Sequence, residues 1–452
     1  MLRDTDTYIM HFDRFGKELA AQGPSSLLPL RREAMAHFTE LGFPTTRHEE
    51  WRYTSVAPIT RIRFQPAVAD GNGLTQAHLP LGRITGCRLV FVNGRYASEL
   101  STPGIHAERG WTLPRAVKAG SLAAALKTDF ERVETHLARY AAFHQHPFVA
   151  LNTALMEDGA FLHIPRGVIV EEPIHLVFIA TRAPSGRGEP VVSHPRTLIV
   201  AEENSLATVI ETYAGPDGDV YFTNAVTEIV AGENAVLDHY KVQQESEAAF
   251  HIATLHVQQA RSSTFSSHSI SLGGALVRND VRAVLDGPGS ESTLNGLYVA
   301  RGQQHVDNHT VIDHAKSHCN SHELYKGILD GRATGVFNGK IFVRPGAQKT
   351  DARQTNQNLL LSQDAVIDTK PQLEIFADDV RCTHGATVGQ LDEDAIFYLR
   401  SRGIGVEEAR GLLTYAFASD VLGQFKIESL RTHLEELLHA RLLRGERVRE
   451  RR

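Results

Sequence analysis

The sequence predicts a mainly β chain: a solenoid of stacked β-coils over residues 159–390, set between a mixed α/β region at 1–158 and a helical region at 391–452. Three observations lead there. From about Gly159 helical periodicity vanishes for over 200 residues, and short strand-like runs alternate with turn residues. Turn signals recur, since Glu203-Asn204 precedes Ser205 to Ile210 and Glu233-Asn234 precedes Ala235 to Tyr240, 30 residues later. Similar starts at Ser262, Gly289, Gly331 and Asp364 follow at intervals of 28, 27, 42 and 33. A single coil cannot bury its own apolar face, and stacking on neighbours solves that. The repeat is degenerate, so an antiparallel sandwich is the competing architecture.

The elements follow in order. Leu27 to Leu41 has helical spacing, with Leu28, Leu30, Met35, Phe38 and Leu41 apolar and Gly42 as a stop signal. Pro66 to Pro80 reads as a loop, and Cys87 to Asn93 as a short strand closed by the turn pair Asn93-Gly94. Leu122 to Phe143 reads as helix. Val191 to Pro195 begins a strand after the Pro/Ser/Gly loop at Ala183 to Pro190. After the coils, Asp392 to Arg402 opens with acidic residues that suit a helix N-terminus. Gly403 and Gly405 break it, and Val406 to Leu422 and Phe425 to Leu443 are helices with apolar stripes.

Bulk properties exclude several classes. The net charge of -6 gives the whole chain no electrostatic reason to seek nucleic acid. The basic run from Arg441 to Arg452 is interrupted by glutamates and reads as a solvated tail. No segment approaches the ~18 consecutive apolar residues of a membrane span. Met1 to Phe15 mixes Arg3, Asp4, Asp6, Asp13 and Arg14 with apolar residues, unlike a secretory signal. Only Cys87, Cys319 and Cys382 occur, too few and too odd for a disulfide framework, so a reducing cytoplasmic setting is expected.

Nucleotide loops fail on inspection. Gly335-Val336-Phe337-Asn338-Gly339-Lys340 has three residues between its glycines where a Walker loop has four, and Ile341 stands where Ser or Thr must reach magnesium. It reads as a turn between strands. Gly287-Pro288-Gly289 and Gly403-Ile404-Gly405 lack the third glycine of a dinucleotide fingerprint. No nucleotide is therefore expected on this chain. The carboxylates Asp378-Asp379 and Asp392-Glu393-Asp394 sit at turn or helix-start positions, where acids act as solvated caps. No catalytic residue is assigned, and a non-enzymatic protein is expected.

Histidine is abundant, at 23 residues. On a helix, His314, His318 and His322 would share a face and suit zinc. However, His305 to Val311 alternates like a strand, which would place His305, Asp307 and His309 together on a solvent-facing side. Cys87 lies in an apolar run and reads as core. The sharpest local feature is Cys382-Thr383-His384-Gly385. In extended backbone residues two apart project to one side, ~6.6 Å apart at their α-carbons. That is too far for one to activate the other, but it suits two donors facing one shared site. Thiolate and imidazole both ligate iron or zinc, and two ligands leave the rest to come from elsewhere, such as another chain.

One long tract resembles a known family. It runs from Phe337-Asn338-Gly339-Lys340-Ile341-Phe342-Val343 through Ala347 to Ala352, Gln354 to Ser362, Ala365 to Pro371 and Leu373-Glu374-Ile375. It continues into Cys382-Thr383-His384-Gly385-Ala386-Thr387-Val388-Gly389 and Phe397 to Ile404. His322 to Leu329 and Glu50-Trp51-Arg52-Tyr53-Thr54 agree. The chain resembles the SufB/SufD family of iron–sulfur cluster assembly scaffolds, and the CTHGATVG tract is similar to its SufD branch. The resemblance implies a right-handed parallel β-helix flanked by helical regions. It implies pairing with SufB and docking of the SufC ATPase on the helices after Asp392; a homodimer of the isolated chain before SufB binds stays open. It also implies a transient Fe–S cluster shared with SufB, held in part by His384 with Cys382 beside it. Phe397, Tyr398, Leu399, Arg400 and Arg402 then become the expected SufC contact. Two rivals are a β-helix carbohydrate-active enzyme and an autonomous metal-binding protein built on His305 to His322.

Overall fold

The computed structural model describes residues 4–21, 27–68, 74–82, 84–102, 112–181 and 189–443. Residues 444–452 of the basic run, 183–188 of the Pro/Ser/Gly loop and 69–73 of the loop at 66–80 lie outside these. The N-terminal region carries helices α1 (Asp6–Ala21), α2 (Leu28–Leu41), α3 (Ala57–Thr60), α4 (Leu122–Thr128), α5 (Phe130–His136) and α6 (Pro147–Leu155). Helix α2 ends as expected: Gly42 takes φ 64° and its N–H bonds the Phe38 carbonyl. The strand Cys87–Val92 turns at Asn93 (φ 51°) and Gly94 (φ 81°) into the antiparallel strand Arg95–Tyr96. Positive φ at both turn residues is what Asn-Gly provides in a two-residue hairpin.

The helix expected over 122–143 is instead two short helices broken at Asp129 (φ −142°), followed by turns. A buried acceptor supplies the reason. The backbone N–H groups of Ala138, Tyr140 and Ala141 donate to the Glu228 carboxylate at 2.8–2.9 Å, so this stretch gives up helical pairing for a tertiary partner. Glu228 also faces Arg196 at 2.6 Å, and neither side chain is exposed.

The solenoid consists of two parallel sheets, with eleven and ten strands among the described residues counting their N-terminal additions. Successive strands alternate between the sheets, so each pairs with the strand two places along. Seven such strand pairs run from Arg196–Ala201 with Leu206–Ala214 to Val366–Ile375 with Arg381–Gly389. One corner repeats a left-handed backbone at Asn204, Asn234, Ser262, Gly289, His318 and Lys349, with φ 55–73° and spacings of 27–31 residues. The Asn234 amide donates to the Asn204 carbonyl oxygen at 3.0 Å, one coil above the other. The 42-residue interval read from the sequence arises because Gly331 belongs to the opposite corner, beside Gly302. Gly335 to Lys340 is not a turn, since all six residues lie within the strand Thr334–Val343.

The two outer faces are covered differently. An aromatic cluster with Phe38, Trp51, Phe64, Phe148, Phe222 and Phe250 seals the N-terminal helices onto the eleven-stranded sheet. The ten-stranded sheet is covered by helices α8 (Val406–Leu422) and α9 (Glu428–Leu443), which follow α7 (Glu393–Ser401). Leu430, Leu434 and Leu438 face that sheet at helical spacing. Phe425, expected to begin α9, precedes it and packs tilted against the Tyr240 and His268 rings instead. Inside the coils apolar layers surround buried ionisable groups. Glu211, His239, Lys241, Glu245 and His251 are all buried, and each has a partner, as buried charge requires. Thr227 donates to Glu211 at 2.9 Å, and Thr223 and Gln243 donate to Glu245 at 2.8 and 3.1 Å. Lys241 donates to Asn279 at 2.6 Å, His239 bonds Ser267 at 3.0 Å and His251 lies 2.8 Å from Glu245.

His305, Asp307 and His309 do share one side of the strand His305–His314, but that side is not wet. The segment Glu49–Thr54 lies over it. Thr54 donates to Asp307 at 2.5 Å, Arg278 bonds Asp307 at 2.7 Å and the Glu50 carbonyl at 2.7 Å, and the Arg278 guanidinium stacks 3.8 Å from the Trp51 ring. Burial alone would push the His309 imidazole down. Asp307 at 3.1 Å outweighs that, aided by Glu50, and holds it up at about 9. A raised imidazole stabilises the fold fully below its unfolded value of about 6.5 and loses that contribution as pH rises through about 9. At 1.36 kcal/mol per unit, on the order of 3 kcal/mol is at stake. Trp51 fluorescence in a Trp111→Phe background is expected to change with a midpoint near 9. The transition should vanish in His309→Gln; persistence there would dissociate the clasp from His309.

Candidate functional site at the open end of the solenoid

The two ends of the coil stack are unlike. At the N-terminal end the sheets finish on antiparallel strands, Lys118–Ser121 and Arg95–Tyr96. At the other end they finish on Val366–Ile375 and Arg381–Gly389, and no further strand pairs with either among the described residues. Open strand edges template pairing with another chain unless they are blunted or covered.

Register shows which way the terminal side chains point. Cys382, His384, Ala386 and Val388 stand over Ala352, Gln354, Asn356 and Asn358, all four of which are buried. The strand opposite places Ile367, Thr369, Pro371, Leu373 and Ile375 over Gly335, Phe337, Gly339, Ile341 and Val343. These are inward-facing positions of a coil on which no further strand stacks among the described residues. His384 is exposed, as is Val388 at 49%.

Cys382 and His384 therefore share one side of one strand, as the sequence suggested, but their settings differ. Cys382 is half-buried against Ile341, Val343, Ala347 and Ala352. Burial first, and the Asp351 charge second, push its thiol up. The neutral thiol is a poor ligand until something draws off its proton. His384 presents its ring to solvent and is the readier donor.

Beneath them lies a polar floor that sequence reading missed. Gln354 donates to Glu323 at 2.6 Å, Asn358 to Asn356 at 2.6 Å, Thr369 to Asn356 at 2.9 Å, and Tyr298 to Asn358 at 2.7 Å. Burial pushes the Glu323 carboxyl up to about 7, so near neutrality it is part protonated. The alternation Gln354-x-Asn356-x-Asn358 was visible, but only register shows that it points inward. At the rim Gln348 donates to Asp378 at 2.8 Å and Lys349 pairs with Asp379, so these acids serve turns.

The helix after the last coil begins with Asp392, whose side chain accepts from Asp394 and Ala395. On α7, Phe397 and Tyr398 are 71% and 57% exposed. Arg402 lies 5.0 Å over the Tyr398 ring and Arg400 is exposed, whereas Leu399 is half-buried. An exposed aromatic pair flanked by arginines is the composition of a binding surface.

The other candidates disperse. His314 is buried and bonded to Ser321 at 2.9 Å, His318 occupies a left-handed corner, and His322 is exposed. Cys87 and Cys319 are core, and burial pushes the Cys87 thiol up to about 12. Among the described residues no helix is long and apolar enough to cross a membrane.

Comparison with known families decides the kind of protein. Residues 182–417 match the profile described as SUF system FeS cluster assembly, SufBD core domain, and residues 2–176 match the SufBD protein N-terminal region. The chain belongs to the SufBD family. Relatives include an iron–sulfur cluster assembly SufBD family protein of Synechocystis, 34% identical over 98% of this chain and 99% of its own length. The iron–sulfur cluster assembly protein SufD of Escherichia coli is 33% identical over 92% of this chain and 94% of its own. A chloroplastic protein of Arabidopsis thaliana, ABCI7, is 28% identical over 96% and 91%. The SufBD core match takes in the solenoid, its open end, α7 and most of α8.

Proposed function

We propose that this SufBD chain is the SufD-type scaffold of the SUF machine, cytoplasmic and without catalysis of its own. Its open last coil pairs with SufB, its C-terminal helices dock the SufC ATPase, and His384 helps hold a nascent Fe–S cluster at the SufB contact. The observation that carries the reading is the exposed inward row of the last coil, with His384 in it. Such a row asks for another coil end of matching register, and a cluster sitting there would draw ligands from both chains. The cluster is cargo. Imidazole binds iron without adding negative charge, so a histidine ligand favours release over retention. Cys382 supplies a second donor once a metal displaces its proton. SufC would provide the ATP hydrolysis for which this chain has no standard loop, and the Phe397, Tyr398, Arg400 and Arg402 surface, with Leu399 behind it, is where it would dock.

Co-expression with SufB and SufC followed by affinity capture separates the two contacts. Val388→Arg places a charge on the open coil and should lose SufB while keeping SufC. The pair Phe397→Asp and Tyr398→Asp should do the opposite. Both target exposed side chains, so the fold should survive, as circular dichroism will report. Retention of SufB by Val388→Arg, or of SufC by the α7 variant, overturns the corresponding contact.

A further inference from the structure

We propose that Glu33, His37 and His144 form a binding site for a divalent transition-metal ion of the zinc type, tying α2 to the segment that enters α6. The site shares no residue with the last coil and does not depend on the function proposed above.

Glu33 and His37 lie one helical turn apart on α2, on the same face. His144 comes from the chain just before α6. One ligand atom from each of the three lies within 4.8 Å of the others. The closest pair is His144 Nδ1 and His37 Nε2 at 3.2 Å. Two nitrogens at ~2.0–2.1 Å from a tetrahedral zinc stand ~3.3 Å apart, so the rings need almost no movement to accept one. Without an ion the same spacing is bridged by a shared proton, which a metal would displace.

The frame around the ligands is fixed. The buried Phe143 ring packs against both imidazoles, at 5.8 Å from His37 and 4.1 Å from His144. Two residues before Glu33, the buried Arg31 donates to the Ala154 and Met156 carbonyls at 3.2 and 2.5 Å, locking α2 to the end of α6. Two nitrogens and one carboxylate oxygen suit zinc, cobalt or nickel and do not suit magnesium or calcium, which demand oxygen. Three protein ligands leave the fourth position to water, and Glu33 and His144 are exposed enough to admit it.

The test uses the full chain stripped by a chelator and titrated with Zn²⁺ against a chromophoric competitor, and with Co²⁺ by visible absorption. One tight equivalent is expected, with the Co²⁺ bands of a four-coordinate site. His37→Ala and His144→Ala should each weaken it more than about tenfold, the scale on which even outer-shell changes act. Glu33→Gln should weaken it less, and Cys382→Ser with His384→Ala should leave it intact. Circular dichroism checks that each variant is folded. Wild-type binding no tighter than in the His37→Ala, His144→Ala double variant overturns the proposal. Loss of the tight equivalent in the Cys382, His384 variant instead assigns it to the last coil and overturns it equally.

Discussion

Replacing His384 by alanine is expected to leave the fold and both partner contacts intact while cluster build-up on the complex fails. The stability expectation follows from exposure. The side chain is exposed, and surface changes away from special features stay within about 0.5 kcal/mol. The functional expectation follows from ligand count. A cluster spanning two coil ends loses one of few donors, so visible absorption per purified complex should fall by at least the tenfold that even outer-shell changes cause. Cys382→Ser should cost less, because the half-buried thiol starts protonated. Anaerobic reconstitution of the co-purified complex, with SufB and SufC quantified on the same sample, reads both quantities. Normal build-up by His384→Ala with full partner content would remove the residue from the mechanism, and a greater loss in Cys382→Ser would reverse the ranking.

Glu228→Ala is expected to cost about 3–5 kcal/mol, as the loss of one partner of a buried ion pair does. Arg196 would be left charged with no exposure, with Asn152 at 3.1 Å and Thr153 at 3.3 Å as its remaining side-chain partners among the described residues. The N–H groups of Ala138, Tyr140 and Ala141 would lose their acceptor as well. The loss should appear as a lower urea midpoint and as faster amide exchange at 138, 140 and 141. Unchanged exchange there would mean that the segment is held by something else. The same carboxylate sets an acid limit. Burial would raise it, but Arg196 and the backbone N–H groups hold it below the usual range. Its contribution is therefore complete above about 4.5 and fades as pH falls through its depressed value.

These two residues mark where the sequence was legible and where it was not. That Cys382 and His384 share one side of a strand was legible from the Cys-x-His spacing, because alternation in a strand is a local property. The stacked coils were found from Asn204 and Asn234, because asparagine tolerates the left-handed corner that each coil needs. Glu228 was invisible. A glutamate inside a strand reads as a solvent-facing residue until the chain 90 residues earlier is folded over it. The same failure broke the helix expected at 122–143 and hid the cover over His305 to His309. The polar floor under His384 was missed for a related reason. Residues at one level of the stack come from coils about 30 residues apart, and degenerate spacing conceals which of them align.

The uncapped final coil bears on supply as well as on binding. A closed globule can wait indefinitely for its mate, whereas a ladder with a bare last rung invites whichever rung arrives first. If that last rung is the pairing surface proposed above, a second copy of the same polypeptide made in surplus could meet it head to head. On that reading balanced output of the two sister chains would become a condition of correct assembly, and a surplus of one would be parked as self-pairs that must come apart before they can serve.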